Sequence, residues 1–130
     1  MKYGKLEIED QIKQAAISHL NAVNAEEALS HFTKDIVAVS NQTLFESYES
    51  LAKEVKNYYA ILKKVIRAEW YDMQIRVINQ DAATFTANFD YCFKTIENDK
   101  IELSGVWSAL FVNEAGQWKI KLRHESFVQK

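Results

Sequence analysis

The chain has 130 residues with 3 glycines, no proline and a formal charge of -2, from 16 Lys and Arg against 18 Asp and Glu. So little glycine and proline excludes collagen-like, proline-rich and flexible-linker segments, and no two glycines lie close enough for a phosphate-cradling loop. The length suits one domain, and the slight acidic excess speaks against a nucleic-acid partner. No run is long and apolar enough to predict a leader or a membrane span.

The first half reads as helices. From Leu6 to Val23, the residues Ile8, Ile12, Ala15, Ala16, His19 and Val23 recur every three or four positions, which places them on one helix face. Asn24 followed by Glu27 is a capping-box pattern, so a short second helix is predicted up to Thr33, with Ala25, Leu29 and Phe32 inward. Ile36-Val37-Ala38-Val39 is predicted as a strand, and Ser40 to Glu46 as a loop. Ser47 caps a third helix whose inner stripe is Tyr48, Leu51, Val55, Tyr58 and Leu62.

Near Lys64 the period changes from helical to alternating. Three polar breaks, at residues 79–81, 98–100 and 114–116, divide the rest into four long strands. Taking every second residue gives an apolar face of Tyr71, Met73, Ile75 and Val77, then Phe85, Ala87, Phe89, Tyr91 and Phe93. Ile101, Leu103, Trp107, Ala109 and Phe111 continue it, followed by Trp118, Ile120 and Leu122. The opposite face is mixed and includes Asp90, Lys119, Lys121 and Arg123. Short breaks between long strands require antiparallel neighbours. Three helices on one curved antiparallel sheet make an α+β two-layer fold.

That order resembles the nuclear-transport-factor-2-like superfamily, in its SnoaL-like and ketosteroid-isomerase-related branch. The resemblance is carried by Leu20-Asn21-Ala22, by His31-Phe32-Thr33-Lys34-Asp35 and by Gly116-Gln117-Trp118-Lys119-Ile120 ahead of His124-Glu125-Ser126. It covers nearly the whole chain and implies a single SnoaL-like domain over residues 1–130. It also implies a cone-shaped roll with a pocket between helices and sheet, and a homodimer formed through the outer sheet face. In the steroid-isomerase branch it places the base at Ser40 and the oxyanion tyrosine at Ala16, and neither residue can do that work.

The remaining inward bases by pattern are His124, which continues Trp118, Ile120 and Leu122, and His19, which shares a face with Ile12 and Ala16. Both are candidate acid–base residues, since histidine titrates near neutrality. His31 falls off the helix stripe and is expected in solvent. Tyr58, Tyr91, Trp107 and Ser126 are candidate ligand-binding residues, with tyrosine hydroxyls as orienting donors; the alternative for His124 is a buried histidine satisfied by Ser126 or a backbone carbonyl. Val106, Leu110 and Val112 form an apolar strip on the outer face, where a homodimer contact is expected.

Three scattered histidines and one cysteine give no metal-ligand spacing, and no cofactor is implied. The single Cys92 cannot form an internal disulfide, which predicts a cytoplasmic home. Mid-strand Gly105 marks a bend, or leaves room beside the pocket. The residues support a domain binding a small apolar ligand, with cofactor-independent acid–base work on a carbonyl or ring compound. The alternative is a non-catalytic homodimeric interaction module with a filled core.

Overall fold

The computed structural model describes residues 3–130. Three helices, α1 (Lys5–Leu20), α2 (Ala25–Ser30) and α3 (Tyr48–Ile61), pack on one sheet. Its strands are β1 (Phe32–Ser40), β2 (Thr43–Phe45), β3 (Leu62–Asn79), β4 (Ala82–Thr95), β5 (Lys100–Glu114) and β6 (Gln117–Gln129). They lie in the order β2-β1-β6-β5-β4-β3. This is the α+β architecture predicted, with one addition. β1 runs parallel to β6, so the sheet is mixed rather than wholly antiparallel.

Local chemistry sets the element ends. Asn24 Oδ1 accepts from the Glu27 N–H at 2.8 Å and caps α2, but the Glu27 carboxylate accepts from the N–H of Val23 at 3.2 Å, one residue before the cap, so only half of the predicted box forms. Ser47 caps α3 together with Ser50. α1 ends three residues before Val23, which is 75% exposed rather than inward; Asn21 caps the helix, its side-chain amide donating to the Ile17 carbonyl at 2.9 Å. The stretch read as a loop contains β2, hairpinned onto β1 through Asn41 at φ 52°. The β5–β6 turn sets Ala115 and Gly116 at φ 53° and 88°, left-handed geometry in which glycine carries no steric cost.

The core lies between α1, α3 and one sheet face: Ile8 and Ile12, Leu51, Phe85, Phe111 and Ile120 are each at most 1% exposed. Burying each such side chain is worth roughly 1.5–3 kcal/mol. Two indole N–H groups tie helix to sheet: Trp70 donates to the Ala16 carbonyl at 2.9 Å and Trp118 to Gln11 at 2.8 Å.

Two of the register shifts in the sheet are β-bulges that overturn part of the predicted face. Between Tyr71–Asn88 and Gln74–Thr86, β3 carries one residue more than β4, with Asp72 at φ 53°. Trp70 therefore packs inward, and Tyr71, expected inside, is 41% exposed. Lys121 is the second extra residue. Phe111 pairs with Ile120, but the adjacent Leu110 pairs with Leu122. Beyond that point the β6 faces exchange. Leu122 and His124 turn outward, and Arg123 becomes 7% exposed on the inner side. The Lys121 ammonium pairs with Asp35 of β1, whose carboxyl titrates below its ordinary value because of that hydrogen bond and one from Thr33.

Candidate functional site

Past the bulges the helices and sheet do not close on each other, and a cavity of about 300 Å³ lies between them. α1 supplies His19, α3 supplies Tyr58 and Tyr59, β3 supplies Trp70, and the strands β4 to β6 supply Tyr91, Trp107 and Arg123 among others. Most of the wall is apolar. The polar groups fall into three sets.

The first is a tyrosine pair. Tyr58 and Tyr91, placed on facing elements by helical and strand periodicity, bring their hydroxyl oxygens to 2.5 Å. One hydroxyl must donate to the other, which leaves one proton free to donate elsewhere. Burial raises both pKa values above that of an ordinary phenol, so the pair is neutral over the whole useful pH range. The neighbouring Tyr59 is pushed up to about 12, chiefly by burial, and donates to the Ala22 carbonyl at 3.0 Å.

The second set is a pair of histidines. His19 lines the cavity, and its Nδ1 lies 2.9 Å from Nδ1 of His31, which is half-buried rather than free in solvent. Helix α2 is only six residues long, so the chain doubles back and sets His31 beside α1. Burial, then His31, then Arg123 hold His19 down to about 3; burial likewise lowers His31. His19 is therefore uncharged at neutral pH and meets a ligand as a neutral ring, packed edge-on to Phe32 at 5.1 Å.

The third set was not legible in the sequence. Ser40 ends β1 in register with Glu125 of β6, and its hydroxyl donates to the Glu125 carboxylate at 2.5 Å. Ser40 is the position where the family resemblance implied a base. A carboxylate does stand there, supplied by the neighbouring strand. Arg123 lies one inward position deeper, with its Nε 3.8 Å from Glu125 Oε1. Ala16, at the implied oxyanion position, is fully buried and offers only its carbonyl to Trp70.

Several predicted site residues do not meet. His124 is exposed on the outer face opposite Ser108, and Ser126 is exposed opposite Val106, so neither lines the cavity. The Lys121 bulge is the reason. His19, Tyr58, Tyr91 and Trp107 do line it. Arg123, Glu125 and Phe127 were missed because alternation counted from Trp118 assigns them to the outer side. Nothing in residues 118–127 announces the extra residue. Only the mid-strand Asp72, a residue depleted in strands, hinted at the other bulge. Among the described residues no three His, Cys, Asp or Glu side chains converge as metal ligands. Nor is any helix there long and apolar enough to cross a membrane.

Residues 10–130 match the model of the SnoaL-like domain. Among solved structures, a proposed scytalone dehydratase from Novosphingobium aromaticivorans superposes with a TM-score of 0.87 at 14% identity, covering 96% of this chain and 87% of the other. A proposed dehydratase of the NTF2-like family from Streptomyces avermitilis gives 0.79 at 15%, covering 92% and 94%. A ketosteroid isomerase-like protein from Erwinia carotovora atroseptica gives 0.76 at 14%, covering 92% and 95%. At these identities the likeness speaks for the fold alone. Among curated proteins, none matches the chain in sequence.

Proposed function

This chain belongs to the SnoaL-like domain family within the nuclear-transport-factor-2-like superfamily, and we propose that it binds an apolar, ring-containing small molecule between helices and sheet. The observation that carries this reading is the cavity of about 300 Å³, walled by Trp70, Trp107, Phe89 and Phe127 and crossed by the Tyr58–Tyr91 hydroxyl pair. Flat aromatic walls with few oriented donors suit a ring ligand carrying a hydrogen-bond acceptor. A space of that size supports binding over a filled core.

The chemistry open to such a site is cofactor-independent proton transfer. Glu125, held by Ser40, is the carboxylate inside the cavity, and a C–H made acidic by a neighbouring carbonyl is the proton it could take. The free tyrosine hydroxyl or Arg123 would hold the oxygen on which charge develops. His19 and the Tyr58–Tyr91 pair complete the proposed site; His124 has no part in it. The structural neighbours described as dehydratases and as isomerase-like support this class of chemistry by analogy only.

The test is a thermal-shift and calorimetry screen of two-ring aromatic and alicyclic ketones. Saturable binding that disappears in Leu103→Trp, which fills the cavity, supports the reading. A ligand at a hundred times its Kd adds about 2.7 kcal/mol to stability. Failure of every ring compound to shift Tm at millimolar concentration would overturn it.

The outer sheet face supports a homodimer. Val106, Leu122 and Val128 are exposed there beside the half-buried Leu110 and Val112. Sedimentation at micromolar concentration is expected to give a dimer mass, and a monomer throughout would remove the proposal. A cytoplasmic location is proposed on the strength of the lone Cys92, which is buried and unpaired.

A further inference from the structure

We infer that the deep end of the cavity is a subsite for a neutral carbonyl oxygen, with Arg123 as the group that holds it. This rests on the binding reading above and goes further by assigning the ligand a polar group and a position. Arg123 is 7% exposed and lines the cavity, yet its side chain makes no hydrogen bond among the described residues, and its Nε is buried without an acceptor. Buried arginines are almost always fully bonded, because a guanidinium out of water is costly unless its protons are taken up. Glu125 does not meet that need. Its Oε1 is 3.8 Å from Nε, too far for a hydrogen bond, and its Oε2 is engaged by Ser40. Nε itself is enclosed, so the terminal guanidinium N–H groups, which have no protein acceptor, are the donors that a ligand in the cavity can meet.

The charge balance decides which acceptor fits. Glu125 already compensates the arginine charge at close range, and Glu54, at the exposed rim, adds a second carboxylate to the same cavity. His19, the other ionisable group against Arg123, is neutral. An anionic ligand would face two negative groups for one positive. A ketone or quinone-type oxygen takes the hydrogen bonds without adding charge.

The strand register sets the shape. Arg123 stands opposite Ala109 on β5, and Leu103 of β5 stands opposite Tyr91. Six residues of strand, about 20 Å, separate the two rows. Long side chains shorten that gap from both ends, but a ligand touching both polar sets is elongated, with one oxygen deep on Arg123 and a second acceptor toward the tyrosine pair.

Three probes of matched shape test this: 2-acetylnaphthalene, 2-isopropylnaphthalene and 2-naphthoate, each titrated calorimetrically. With the wild-type chain the ketone is expected to bind about tenfold or more tighter than the hydrocarbon, the low end of what one hydrogen bond to a charged donor supplies. Arg123→Met is expected to bring that ratio to about one while the hydrocarbon still binds. If Arg123→Met does not fold, the carbonyl stretch of 2-acetylnaphthalene bound to wild type decides. A shift to lower frequency than in hexane supports the subsite, and the hexane frequency overturns it. A ketone preference that survives Arg123→Met overturns the assignment and leaves the binding reading standing, as does naphthoate binding best. Binding by none of the three overturns both.

Discussion

The two ends of the sheet follow the same alternating pattern and reach opposite results. At the closed end Phe85, Phe111, Ile120, Ile8, Ile12 and Ile36 are each at most 1% exposed, and aromatic rings meet edge to face, as Phe85 does with Phe111 at 6.4 Å. At the open end Tyr58, Tyr91, Trp70 and Leu103 are only half-buried around a cavity. Composition does not separate them, since both are rich in aromatics. The difference lies in the ladder. β4 and β5 pair without interruption along their whole length, and on the closed side of Lys121 the inward β6 positions Trp118 and Ile120 are apolar, so side chains interdigitate to close packing. Beyond Lys121 the extra β6 residue turns the polar Arg123 and Glu125 inward, and beyond Asp72 the β3 bulge turns Trp70 inward in place of Tyr71.

The comparison can be broken first at Gly105, which joins the two regions. A Cβ there would come within 2.0 Å of the Ser126 carbonyl oxygen and 2.7 Å of Phe127 Cα, so β6 backbone would have to move. Gly105→Ala is expected to cost more than about 4 kcal/mol, or to abolish folding, by urea denaturation. A cost under 1 kcal/mol would mean that β6 does not cross so closely. Next come paired truncations. Phe85→Ala should cost about 3–5 kcal/mol, and Leu103→Ala, already beside open space, about 2 kcal/mol or less. Equal costs would show that the open end is as tightly packed as the closed one.

Acid gives a smaller effect with a definite sign. His19 titrates at about 3 in the fold against 6.5 in the unfolded chain, so below pH 6.5 the unfolded state binds a proton that the native state refuses. Stability from this group is complete above pH 6.5 and declines as pH falls toward 3. By pH 4.5 the loss reaches up to about 2.7 kcal/mol, and His19→Gln should flatten the wild-type decline by that amount. Parallel pH profiles for the two proteins would place His19 in water. The smallest effect is at the open end. Tyr58→Phe removes one hydroxyl of the 2.5 Å pair and should cost about 1 kcal/mol, because Tyr91 can turn its proton to a ligand or water.

The architecture was readable because periodicity is a property of long segments. Three helices, the Asn24 and Ser47 caps and three of the hairpin turns were each signalled by several residues acting together. Tyr58 and Tyr91 could be placed for the same reason: each lies on an element whose stripe is uninterrupted. The polar end of the cavity was hidden because a bulge is a single-residue event. Lys121 resembles Lys119 in residue type and setting, and its ion pair with Asp35 depends on a residue 86 positions away along the chain. The Ser40–Glu125 contact likewise needs the parallel β1–β6 pairing, which forms only when the chain closes.

Lys121 also changes how roles are transferred between members of this family. Up to Ile120 the odd-numbered positions of β6 face one way, and after Leu122 they face the other. A relative with its bulge two residues earlier or later would present a different subset of the same string to its ligand. At 14% identity, counting along the strand would then equate a cavity-lining arginine with a solvent-facing neighbour. Equivalence in this fold belongs to the ladder partner: for the arginine, the residue opposite Ala109 is the one to compare, whatever its number. Sliding that one insertion gives evolution a way to reverse the facing of the residues it passes without replacing a single side chain.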